Sequence, residues 1–94
     1  MPSPALVAAR ASRSNALRVA FDVAPRALDP AAFHDALNPR NYALRALCSG
    51  YAPPAVRMEA DAADPKLFEV VLLTALHPDA EYDLTASPTI EPAP

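Results

Sequence analysis

Leu76-His77-Pro78-Asp79-Ala80-Glu81-Tyr82-Asp83-Leu84-Thr85-Ala86 is the stretch on which the fold turns. A leucine, a proline two residues on and a tyrosine six on, running into alternating residues, has the layout of a tyrosine corner. In such a corner the chain leaves one sheet of a β-sandwich and enters the other, while the phenol reaches back to a main-chain group a few residues upstream. Leu76 anchors the outgoing end, Pro78 sets the bend through its fixed φ, and Tyr82 combines an apolar ring with a polar tip. The spacing predicts a bond from Tyr82 to the region of Leu76. The plainer alternative is an ordinary loop before an ordinary strand, but the flanking segments alternate too.

Outward from the corner, Leu17 to Val23 alternates most clearly, with Leu17, Val19, Phe21 and Val23 on one face and Arg18, Ala20 and Asp22 on the other. Ala5 to Ala11 is a short apolar run fit for a first strand, followed by a polar turn at 12–15. Tyr42 to Leu47 places Tyr42 and Leu44 inward. Val56 to Ala60 places Val56 and Met58 inward, and Phe68 to Leu73 is the most apolar strand. Between Pro25 and Asn41 the character changes. Asp29-Pro30 has the form of an N-cap with proline at the first helical position, and Phe33 and Leu37, four apart, would share a helix face. One short helical insert is expected at about residues 30–37. Five or six short strands with turn signals between them and no βαβ spacing specify an all-β antiparallel sandwich. Residues 1–4 read as an N-terminal extension, 5–87 as the sandwich domain and 88–94 as a proline-rich C-terminal arm.

A chain of 94 residues is one small domain, with room for a two-layer core and none for a deep catalytic cleft besides. Twelve prolines against one glycine argue against long helices, and Gly50 alone cannot build a phosphate-cradling loop. A single cysteine, Cys48, excludes an internal disulfide and a cysteine-based zinc site. Arg10 and Arg13 interrupt the apolar run that a signal peptide needs, and no segment approaches the length of a membrane span, so the chain reads as cytosolic when made. The net charge of −3 offers nucleic acid no general attraction. Charge is uneven all the same: residues 1–47 hold six arginines and three acids, and residues 48–94 hold Arg57 and Lys66 against eight acids. That asymmetry suits a complementary neighbour.

Chemistry-bearing residues are sparse. His34 and His77 are the side chains that titrate near neutrality, and His34 and Asp35, adjacent in a helix, would diverge. No G-x-S-x-G elbow exists. Asp61 and Asp64 raise the thought of calcium, but two aspartates three apart beside Pro65 are more often turn formers. No catalytic residue, cofactor, metal or small-molecule ligand is expected, and the chain is not read as an enzyme.

Three stretches taken together, Ala16 to Asp22 (ALRVAFD), Leu37 to Leu44 (LNPRNYAL) and Val70 to Ala86 with its Leu76, Pro78 and Tyr82, resemble bacterial Ig-like domains of the surface-layer and tail-protein type. The likeness spans about residues 5–87 and is most specific at Leu37 to Leu44. It implies an Ig-like or fibronectin III-like sandwich acting through protein–protein contacts, with Leu76, Pro78, Tyr82, Phe21 and Tyr42 as structural residues. Asp79 stands where the corner usually has glycine, which would strain the turn. The resemblance implies one of two roles. One is a structural or docking subunit of a phage tail, baseplate or related contractile particle, made in the bacterial cytoplasm and partnered by the particle's other structural proteins. The other is a cell-surface adhesion or spacer module. The missing signal and the start at Met1 favour the particle.

A seven-strand sandwich would continue past Ala86 into a closing strand, but Pro88, Pro92 and Pro94 withhold three backbone donors. The sheet is expected to keep an open edge covered by a partner, with the 88–94 arm as the interaction element: Pro88 and Pro92 stiffen it and Ile90 is its apolar anchor. A tail folding back on its own domain is the alternative.

Overall fold

A computed structural model describes residues 4–94 and resolves six strands: β1 (Leu6–Arg13), β2 (Ala16–Phe21), β3 (Tyr42–Ala46), β4 (Ala55–Ala60), β5 (Leu67–Leu72) and β6 (Tyr82–Ala86). All pairings are antiparallel. One sheet has the order β1-β2-β5-β4 and the other consists of β3 and β6. This is the A-B-E-D sheet of an Ig-like sandwich facing the C and F strands of the second sheet, with no third strand beside β6 among the described residues.

Alternation explains which residues form the core. Leu17, Val19 and Phe21 of β2, Phe68, Val70 and Leu72 of β5, Met58 of β4, and Tyr42, Leu44 and Ala46 of β3 are buried between the layers. Phe21 and Phe68 meet edge to face at 5.6 Å between ring centroids, a geometry that aligns positive ring edge with negative ring face. Two sequence expectations fail at strand ends. Val23 lies past the end of β2, in a bend held by the Asp22 carboxylate, which accepts from its N–H at 2.8 Å, and the side chain is exposed. Val56 is exposed as well, because the β4–β5 register slips between Ala55 and Arg57 and puts Val56 at a bulge.

Among the described residues there is no α-helix, and the only helical element is a 3₁₀ turn at Pro39–Asn41. The insert expected at about 30–37 is a chain of turns closed by i→i+3 bonds: Ala32 N–H to Asp29 O, Asp35 N–H to Ala32 O and Asn38 N–H to Asp35 O. The capping signal is real at its own scale, since Asp29 Oδ1 accepts from Ala31 N–H at 2.9 Å. What stops a helix is Asp35. Its carboxylate is fully buried and takes the N–H groups of Leu28, Asp29 and Leu37 at 2.7, 2.8 and 2.8 Å, curling the backbone around itself. Arg26 Nε, buried and outside hydrogen-bonding geometry, balances the charge from 3.5 Å.

The next residues clamp this knot. Asn41 donates its side-chain amide to Asp35 O at 2.8 Å and Tyr42 donates its hydroxyl to Ala36 O at 2.8 Å, both reaching back six residues. Asn38 caps the 3₁₀ turn by accepting from Arg40 N–H at 3.0 Å. The Leu37 to Leu44 stretch thus locks the long loop between the sheets and delivers Tyr42 to the core.

The C-terminal segment folds back on its own domain, the alternative to an outstretched arm. Glu91 N–H bonds to His34 O, Arg26 N–H to Glu91 O and Ala93 N–H to Ala24 O, and Pro25 and Pro92 form an isolated antiparallel bridge. Ile90, the expected anchor of a free arm, is 1% exposed and part of the core. Pro88 is exposed, and Pro92 is half-buried against the same loop. The prolines do rule out a ladder strand, but the segment uses its remaining donors on the domain itself, and a buried isoleucine outweighs an exposed one by about 1.5–3 kcal/mol. Of the expected 1–4 extension, residues 1–3 lie outside the described residues, and Pro4 is buried.

Candidate interaction surface

The corner is built as its residue types require. His77 N–H donates to the Tyr82 hydroxyl oxygen at 2.8 Å, one residue from the expected Leu76. Leu76 N–H donates to Ser14 O at 2.7 Å, which ties the corner to the β1–β2 turn, and the Leu76 side chain packs against the core. Pro78 stands exposed at the bend, where Ala80 N–H closes a turn onto His77 O at 3.2 Å. Asp79 causes no strain there: among the described residues no residue other than glycine has a positive φ.

A second tyrosine braces the corner from outside. The Tyr51 hydroxyl donates to Ala75 O at 2.8 Å, lies 2.6 Å from Thr74 Oγ1, and its ring meets the His77 ring at a tilt of 51° with centroids 4.5 Å apart. Nothing in the sequence around Tyr51, between Gly50 and Pro53, signals this contact with a segment more than twenty residues away. The glycine is required at that place, since it takes φ +72° to turn the chain out of β3.

Beside the corner lies an apolar groove of about 510 Å³ between β1 and β6. Leu17 and Leu44 line its depth, Ala9 and Ala11 the β1 side, and Leu76 and Leu84 the β6 side. The groove follows from unequal sheets. Ala9 and Ala11 pair with Val19 and Leu17, which face inward, so both alanines face inward too, yet both are exposed. Across from them β6 leaves Tyr82, Leu84 and Ala86 only half-buried. The same residues offer unpaired backbone. Leu47 N–H bonds to Glu81 O and Ser87 N–H to Asn41 O, so the odd-numbered residues of β6 face β3 and the even-numbered ones face the free edge.

The charges are partly spent within the domain. Arg13 pairs with Glu69 at 2.8 Å, where Ser12 also donates at 2.7 Å, and Arg18 pairs with Asp61, so the basic N-terminal strands are stapled to the acidic half. Ser12 first and then Arg13 hold the Glu69 carboxyl below its ordinary range. The N–H groups of Ala63 and Asp64, followed by Arg18, do the same for Asp61. The Asp61–Asp64 turn therefore uses its carboxylates as turn acceptors, with Asp64 Oδ1 taking Lys66 N–H at 2.9 Å. His34 is half-buried in the turn segment, Cys48 is exposed, and no group of three His, Cys, Asp or Glu side chains among the described residues is placed to hold a metal ion. Among the described residues no helix is long and apolar enough to cross a membrane.

No known protein family matches the chain, and no curated protein does. A solved structure does: the N-terminal part of the bacterial S-layer protein SbsC superposes with a TM-score of 0.72 over 90% of this chain, at 19% sequence identity. The chain spans 19% of the length of that structure. At that identity the likeness is one of fold.

Proposed function

We propose that this chain is a non-catalytic structural module of a cell surface, acting as an Ig-like spacer or adhesion unit through protein–protein contacts. The observation behind this reading is the superposition on part of an S-layer protein over nearly the whole domain. The way the chain uses its polar groups supports it. Buried Asp35, Asn38 and Asn41 serve backbone hydrogen bonds, and the apolar groove lies along an open strand edge, where main-chain pairing is the natural mode of contact. The phage-tail and baseplate reading has no corresponding observation behind it, so the surface reading takes precedence. Protease treatment of intact cells that make the protein tests it. Release or digestion of the chain from unbroken cells supports a surface module. Full protection, with sedimentation alongside phage-like particles from the lysate, overturns it in favour of a particle subunit.

A further inference from the structure

From the third-strand position beside β6, which none of the described residues fills, we infer that the chain forms a two-fold symmetric dimer in which the β1 edge of each copy fills the groove of the other. The shape is self-complementary. The four-stranded sheet overhangs the two-stranded sheet on the β1 side, so a second copy turned over by a two-fold axis brings its own overhang into the empty layer. Its β1 then lies alongside β6, and the first copy's β1 lies alongside the partner's β6. Each layer becomes a continuous six-stranded sheet, and the open β1 and β6 edges disappear.

The side chains fit that arrangement on both faces. The inward faces of the two β1 strands meet through Ala9 and Ala11, which are small enough to let the strands share the space between the sheets and which have no cover in the single chain. On the outward face, β1 presents Arg10, whose cross-strand neighbour is another cation, Arg18, already paired with Asp61. β6 presents Asp83. Arg10 and Asp83 join no ion pair among the described residues, and the two-fold axis sets the Arg10 of one copy on the same face of the joint sheet as the Asp83 of the other. A β6–β6 dimer would leave both β1 edges unpaired and Ala9 and Ala11 uncovered. The chain's own C-terminal segment does not reach the groove, because Ile90 and its neighbours are bound to the 24–36 loop.

Sedimentation equilibrium and light scattering on the full chain at tens of micromolar decide the matter. The expected species has twice the 10.0 kDa chain mass. Ala9→Asp, at a site already exposed in the single chain, is expected to yield a folded monomer with unchanged circular dichroism. Arg10→Glu is expected to weaken dimerisation at least tenfold, and adding Asp83→Arg to restore it. A monomer over the whole concentration range overturns the proposal, including the case in which a strand from a different protein fills the groove. A dimer indifferent to Ala9→Asp and to the charge reversals overturns it equally.

Discussion

Asp35 shows how much one buried side chain can dictate. A carboxylate removed from water is costly unless hydrogen-bonded and paired, and this one is matched by three backbone N–H groups and the Arg26 guanidinium. Asp35→Ala strands those donors and leaves Arg26 half-buried without its counter-ion, so it is expected to cost about 3–5 kcal/mol in urea denaturation. A loss below about 1 kcal/mol would show the knot to be dispensable. The two structural tyrosines should differ in the same assay. Tyr42→Phe orphans the buried carbonyl of Ala36, for about 1–3 kcal/mol, whereas Tyr82→Phe frees His77 N–H at an exposed corner where water replaces the phenol, for about 0.5–1.5 kcal/mol. The reverse ranking would mean that the corner, and not the knot, is the tighter joint.

At the level of elements, the strands are legible in the sequence because alternation reports directly on a half-buried sheet: Leu17, Val19 and Phe21 carry their position in their spacing. The corner is legible because Leu76, Pro78 and Tyr82 act within seven residues of one another. The 30–37 segment reads as a helix because its cap and its i, i+4 apolar pair are local signals, while the Asp35 carboxylate that overrides them draws on Arg26 and Leu28 as well as Leu37. Phe33 is 71% exposed as a result. The tail reads as a free arm for a related reason, since nothing local in Ser87 to Pro94 announces that the 24–36 loop will receive it. Ile90→Ala tests that docking. Removing a fully buried isoleucine is expected to cost about 2–5 kcal/mol. Unchanged stability would return the segment to the role of a free arm.

For the whole molecule, pH sets two limits whose causes lie in different sheets. Glu69 and Asp61 have carboxyl pKa values lowered in the folded chain, so the folded state binds fewer protons than the unfolded one around their ordinary titration range, near pH ~4. Their contribution is present in full above that range and is lost as pH falls through the lowered values. Both carboxylates lie half-buried at the surface and their partners Arg13 and Arg18 are exposed, so the acid limb should be shallow and weakened by salt. Tyr42 works in the opposite sense. Burial first, and then the charge of Asp35, raise its phenol well above the ordinary value of about 10, so its contribution is complete below that pH and is lost as pH rises beyond it. The groove is not legible in the sequence, because sandwich strands carry packing information and the groove arises where no described residue forms a third strand beside β6. The pH limits, by contrast, follow from identified atoms. Urea midpoints measured from about pH 2 to about pH 12 should form a plateau with a gentle acid shoulder and a steeper alkaline fall. Glu69→Gln should reduce the first, leaving the share of Asp61, and Tyr42→Phe should flatten the second, with Tyr42 phenolate absorbance appearing only as the chain unfolds. An alkaline limb that survives Tyr42→Phe would assign that fall to another group and remove Tyr42 from its cause.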